Sequence, residues 1–291
     1  MSQLDIRIGT LVAMQNGAAT LKQILPHGFE SFSLTFWQQI GDVDIERTAR
    51  EVKEVIGDRA VISSVGMFGN PLQEESAARD FARCIEAAHL FDCDMVAGFA
   101  GALEDRPVGE SMPQFKKVWG ELARRAEDNG VRIALENCDM GGWWHAPKWN
   151  IAHSPDAWEM IFNEVPSDAL GLQWEPCHQM VSLIDPLPQL RKWVGKVFNV
   201  HGKDATIAWD VVRARGIRGN TPYVWHRTPG FGDTNWTDVI SILRMNGYKG
   251  SIDIEGFHDP VYKDELEMTG QVHGLNYLKQ CRGGVFVPNP T

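Results

Sequence analysis

The chain has 291 residues, 43% of them hydrophobic and 23% charged, and carries a net charge of −10. That is the composition of a soluble globular protein. It is too acidic to offer the basic face that nucleic acid requires, and no apolar stretch approaches the ~20 residues of a membrane span, so neither partner is expected. Five cysteines without a CxxC pair (84, 93, 138, 177 and 281) and an opening MSQLDIRIGT without a basic leader point to reduced thiols in a cytoplasmic protein.

Apolar runs alternate with stretches of helical spacing, as βαβ units require. Strands are expected at 5–13, 30–37, 59–66, 93–99, 131–136, 169–175, 196–201 and 250–255. A weak first helix is expected at 17–25 (GAATLKQIL). Residues 43–56 put Val43, Val52, Val55 and Ile56 on one side after a cap at Asp42, and 74–90 carry Ala78, Phe81, Ala82 and Ile85. The clearest helix is 111–128, with Met112, Phe115, Trp119, Leu122, Ala123 and Ala126 at three-and-four spacing; 154–164, 186–193, 235–246 and 261–280 also fit. Eight strands each followed by a helix predict a closed (β/α)8 barrel, and the length suits one such domain over 1–291.

Two segments are too long for plain connectors: 137–153 (NCDMGGWWHAPKWNIAH) and 202–234, which includes HRTPGFGDTNW. Barrel chemistry sits on loops after the strand C-termini, so these mark the substrate side. Their tryptophans (Trp143, Trp144 and Trp149; Trp209 and Trp225) suit the C–H face of a sugar ring, or simply pack the loops down.

Four strand-like runs end on metal-competent side chains: VRIALE at Glu136, LGLQWE at Glu175, VFNVH at His201 and SIDIE at Glu255. They lie 39, 26 and 54 positions apart, yet the ends of parallel barrel strands share one mouth. Three carboxylates and an imidazole make a hard donor set for one divalent cation. A lone Glu at a strand end is ordinarily a solvated rim residue; four in register are not.

The chain resembles the xylose-isomerase-like barrels of the sugar (phosphate) isomerase/epimerase superfamily. The resemblance rests on IALEN at Glu136, WEPCH at Glu175 and His178, HGKD at His201, Lys203 and Asp204, PGFGD at 229–233, and IE at 254–255. It implies a xylose-isomerase-like TIM barrel with Glu136, Glu175, His201 and Glu255 holding one divalent ion. Mn2+ is expected first, with Mg2+, Co2+ or Zn2+ as alternatives. Glu175 stands where the family usually has Asp, lengthening that arm by a methylene. The resemblance also implies a homo-oligomer.

Proton removal beside a carbonyl needs a base and something to hold the enediolate charge, and a chelated metal serves the second need. Glu136 and Glu255 are the candidate acid/base pair, one abstracting and the other returning the proton. His178, three residues beyond Glu175, is expected on a substrate oxygen. Lys203 would bind substrate or pair with an acid, and Asp204 would orient His201 or Lys203 or cap a turn. Trp143 and Trp144 are candidate substrate contacts. So are His226 and Arg227, with loop bracing as their plain alternative. Cys138 and Cys177 are read as packing residues, since thiolate mismatches hard ligands.

His145, in GGWWH, is a candidate general base if its loop folds over the mouth, and otherwise makes a bond within the loop. A second base would suit elimination.

The leading expectation is a metal-dependent isomerase or epimerase acting on a ketose or keto-glycoside through an enediolate. The alternative is a lyase cleaving 3-keto-glycosides at C–O or C–C by β-elimination. It is suggested by relatives that share the ENC-MGG-W and WEPCHQ segments, and would work with a small second subunit. An apurinic-site endonuclease shares the barrel but wants a trinuclear cluster and a basic groove. A non-catalytic sugar-binding barrel would not need the acid/base pair. PGFGD offers glycines for a phosphate, but Asp233 opposes an anion, so an unphosphorylated substrate is expected.

Overall fold

The computed structural model describes residues 5–285 and 287–290. Residues 1–4, 286 and 291, which the expected single domain includes, lie outside the described residues. In chain order the elements are β1 (Arg7–Ala13), α1 (Gly17–Ile24), β2 (Ser31–Trp37), α2 (Ile45–Ile56), β3 (Val61–Phe68), α3 (Glu75–Ala87), β4 (Met95–Gly98), α4 (Val108–Asn129), β5 (Arg132–Glu136) and α5 (Pro155–Glu164). Then follow β6 (Leu170–Trp174), α6 (Pro176–Val181), α7 (Pro186–Trp193), β7 (Val197–Gly202), β8 (Asp204–Ile207), α8 (Trp209–Arg215), β9 (Val224–Arg227), α9 (Trp236–Met245), β10 (Ser251–Ile254) and α10 (Glu267–Cys281).

The eight long-expected strands close into a parallel barrel in the order β1-β10-β7-β6-β5-β4-β3-β2, while β8 and β9 form a separate antiparallel pair. Barrel strands are covered on both faces, which is why β4, β6 and β10 are buried at every position instead of alternating. Polar interior residues pair with one another: Ser33 and Ser64 Oγ lie 2.7 Å apart, and Gln173 Nε2 donates to Asn199 Oδ1 at 2.9 Å.

Packing divides the described chain into two compact units. One comprises the residues through Thr10, Glu175–Gly195 and from His201 onward; in it Arg7–Thr10 pair with Ser251–Ile254. The other is Leu11–Trp174 with Lys196–Val200; its strands pair in sequence from β2 to β7.

Four local expectations are corrected. The cap of α2 is Asp44, whose Oδ1 accepts from Arg47 N at 2.9 Å, and not Asp42. α4 starts at Val108, one turn before the expected 111. α10 starts at Glu267 and not 261, because Asp264 adopts a left-handed φ of +52° within a short 3-10 turn. The stretch 202–234 is a built extension carrying β8, α8 and β9, not an open loop. Among the described residues no helix is long and apolar enough to cross a membrane.

Candidate active site

Glu175 follows the last residue of β6 with extended backbone (φ −142°, ψ 144°), and Pro176 at the first helical position starts α6 there. That short helix turns His178 back toward Glu175, with Nε2 3.0 Å from Oε1. His201 lies in β7 and directs Nδ1 to Glu255 Oε2 at 3.2 Å. Glu255 follows β10 and accepts from Lys203 Nζ at 2.6 Å, a charge-assisted bond. All five side chains are buried. Burial alone would raise the Glu255 carboxyl, but the Lys203 ammonium and His201 outweigh it and hold it well below the usual carboxylate range.

Glu136 is the last residue of β5, buried, in register with Gln173 of β6. One ligand atom from each of Glu136, Glu175, His201 and Glu255 lies within 4.8 Å of the others. The buried side chains of Glu136, Glu175 and Glu255 bring three carboxyl groups together out of water, where negative charge is expensive. A divalent cation held by these residues would offset such charge, and the oxygen-rich donor set suits a hard or borderline ion. The residues present fit such a metal.

Further imidazoles line up beyond His178. His226 in β9 meets it edge to face at 5.2 Å, and His258 meets His226 in the same way at 5.7 Å. Burial, then the charges of Lys203, His178 and His258, push His226 down to about 3, so it is neutral at ordinary pH. His258 is a site-side residue that the sequence reading passed over; its signal was its place three residues after Glu255. Arg227 directs Nε to Asp259 Oδ2 at 3.3 Å and lies over the Phe231 ring at 5.7 Å, which is the geometry of a brace.

The PGFGD segment is packed, not open. Phe231 stacks against Tyr262 and His273, each at 4.1 Å. Gly230 has φ +97°, and a Cβ on Gly232 would meet the Asp204 carboxylate. Asp204 itself accepts from Ala205 N at 2.8 Å, Thr234 N at 3.0 Å and Trp236 Nε1 at 3.0 Å, so it ties β8 to the start of α9. Asp233 Oδ2 accepts from Ile207 N at 2.9 Å.

The loop 137–153 is organised by Asn150. Its Oδ1 accepts from Ala100 N (3.0 Å) and Ala152 N (3.1 Å), and its Nδ2 donates to the carbonyls of Glu136 (2.8 Å) and Cys138 (2.7 Å). His145 is exposed at the tip, edge-on to Trp143 at 4.8 Å, and is not among the four grouped side chains. Trp143 is exposed and pairs with Ala146, while the half-buried Trp144 accepts from Val108 N through its carbonyl at 2.9 Å. Cys138 and Cys177 are buried; Cys177 packs with Met180 and Ala205, and burial pushes its thiol up.

Residues 21–281 match the profile of the xylose isomerase-like TIM barrel. The chain is similar to an inosose dehydratase of Clostridium tetani, 25% identical over 249 residues covering 82% of this chain and 81% of that protein. It is also similar to an inosose dehydratase of Lactiplantibacillus plantarum, 32% identical over 167 residues, 56% of this chain; the chain spans 54% of that relative's length. Among solved structures it is similar to a xylose isomerase domain protein from Planctomyces limnophilus, with TM-score 0.73 and 15% identity over 96% of this chain and 98% of that one. A 3-keto-D-glucoside 4-epimerase from E. coli gives TM-score 0.69 and 14% identity over 95% of this chain and 100% of that one. A xylose isomerase-like barrel protein from Mycobacterium smegmatis in complex with magnesium gives 0.69 and 19% over 97% of this chain and 99% of that one. The profile takes in all four strand-end residues and nearly every barrel strand, and the chain therefore belongs to the xylose isomerase-like TIM barrel family.

Proposed function

We propose that this chain is a divalent-metal-dependent enzyme that moves a carbon-bound proton beside a carbonyl of an unphosphorylated ketose or keto-glycoside, an isomerase or epimerase working through an enediolate. The observation that carries this reading is the grouping of three buried carboxylates and one imidazole around a common point. A divalent ion there, Mn2+ or a similar one, supplies Lewis-acid stabilisation of negative charge on substrate oxygens.

Glu136 and Glu255 serve as the proton-transfer pair, one removing and the other returning the proton. Lys203, 2.6 Å from Glu255, favours the ionised form of that carboxylate and fixes its orientation. His178 and the neutral His226 offer hydrogen bonds to the substrate's oxygens. We read the whole chain as one such barrel domain.

A second reading, a lyase, is favoured by the names of the sequence relatives: inosose dehydratases similar over 82% of the chain. The same proton abstraction would then be followed by departure of a β-oxygen or an aglycone instead of proton return. His145, exposed on its loop, would be the base particular to that outcome.

Proton NMR of the Mg2+-loaded enzyme in D2O with free ketoses and 3-keto-glycosides separates the two. Deuterium entering beside the carbonyl with the skeleton kept is the expected result; loss of water or an aglycone makes it a lyase. Glu136→Gln and Glu255→Gln are each expected to lower the rate by about 10²–10⁴-fold while the fold stands. Substantial activity in both variants overturns the acid/base assignment.

A further inference from the structure

Two tryptophans, one ending a barrel strand and one in the loop after another, stack on each other outside the group of Glu136, Glu175, His201 and Glu255. Trp37 is the last residue of β2 and is 54% exposed, although Phe36 before it is fully buried and Thr35 half-buried. Trp149, from the loop after β5, lies against it at 5.8 Å between ring centroids and 21° between planes. Phe99, directly after β4, meets Trp37 edge-on at 6.2 Å, and Phe68, ending β3, meets Phe99 edge-on at 5.2 Å.

The backbone is bent to make this arrangement. Trp149 has φ +61° and Gln38, the residue after Trp37, has φ +66°. Left-handed backbone is an outlier for a bulky side chain and persists only where surroundings over-determine it. Here they do: Asn150 fixes the chain beside Trp149 with four hydrogen bonds, and Gln38 N donates to Phe68 O at 2.9 Å. Packing alone gives no reason to strain the backbone at Trp149 and directly after Trp37 and then leave the Trp37 ring half in water. An aromatic surface kept exposed on a rigid support suits a flat ring as ligand.

We propose that Trp37 and Trp149 form a stacking shelf for an aromatic ring on the non-reacting part of the substrate, so that aryl-bearing glycosides are preferred over bare sugars. This rests on the reading of the site as one for sugars or glycosides. It adds a specificity surface of which Trp149 belongs to the loop after β5, the strand that ends on Glu136, whose carbonyl the Asn150 amide holds.

Calorimetric titration of the metal-loaded protein with phenyl β-D-glucoside and methyl β-D-glucoside tests it. The phenyl compound is expected to bind about tenfold tighter, the scale of one good aromatic stacking contact. Trp37→Ala and Trp149→Ala should each remove that preference, and Trp37→Phe should restore part of it. Circular dichroism checks that each variant folds, and Trp37→Phe carries the test if an alanine variant does not. Equal affinities in the parent, no binding of the phenyl compound, or a preference that survives both alanine variants overturns the shelf. Binding needs no turnover, so Glu255→Gln protein should keep the preference. An enzyme that exchanges no proton yet prefers the phenyl compound would refute the reaction and keep the shelf.

Discussion

At Gly232 a single added carbon would meet the Asp204 carboxylate and the carbonyl of Ala205 at less than contact distance. Asp204 cannot yield, because three donors fix it and Trp236 is fully buried behind it. Burial raises its carboxyl above the ordinary value despite those donors. Gly232→Ala is therefore expected to destabilise the protein by about 1–3 kcal/mol, measured by denaturant unfolding, without altering metal stoichiometry. Asp259 behaves oppositely. Burial would raise it, but the amides of Tyr262, Thr228 and Val261 and the Arg227 guanidinium outweigh burial, so its folded value is depressed. Its stabilisation is fully present above the unfolded value of about 4 and is lost as pH falls through the lower folded value. The stability difference between the parent and Asp259→Asn should thus stay constant between about pH 7 and 5 and shrink only below about pH 4. A difference that changes between about pH 7 and 5 refutes that assignment.

At the scale of elements, Asn150 stands out because one side chain ties two loops together. It completes hydrogen bonds for the segments after β4 and β5 at once. Asn150→Ala is expected to cost about 2–4 kcal/mol, through groups left buried without this partner, and to weaken metal binding through Glu136. Thermal melts and a metal titration would show both effects; unchanged metal affinity would confine Asn150 to a loop role. The barrel strands were legible in the sequence because each is a short apolar run punctuated by Gly, Pro or a charge. The additions after β6 and β7 were not. α6 begins immediately after Glu175, with PCHQMV giving less than two turns of pattern. DATI and VWHR are four residues each, and they pair only with each other. The Asp42 cap failed for a smaller reason: GDVD offers two aspartates two residues apart, and only backbone geometry chooses Asp44.

For the molecule as a whole, the grouping of Glu136, Glu175, His201 and Glu255 was legible from sequence and the stacking of Trp37 on Trp149 was not. Glu136, Glu175, His201 and Glu255 announce themselves because strand ends are easy to find and their chemistry is unmistakable. Trp37 closes an apolar run and looks like one more core residue; nothing in SFSLTFW says that its last ring stays exposed. A centre with an excess of buried negative charge should also respond to its ion globally. Elemental analysis is expected to find about one divalent ion per chain, and saturating metal at about 100 times Kd should add about 2.7 kcal/mol of stability. Chelation should reverse that gain, seen as a lower Tm; a melting curve indifferent to both metal and chelator would refute the centre.

The antiparallel ribbon of β8 and β9 belongs to a sheet of its own. Its base is fastened by Asp204 and Asp233, while α8 and the residues up to Tyr223 lie between its strands. Those intervening residues take no part in the pairing of the barrel strands, and one tie at their end is the Tyr223 hydroxyl donating to the Val181 carbonyl at 2.8 Å. Lengthening or trimming that stretch is therefore expected to spare the pairing of the barrel strands, which makes it the tolerant place to vary the chain beside the ribbon.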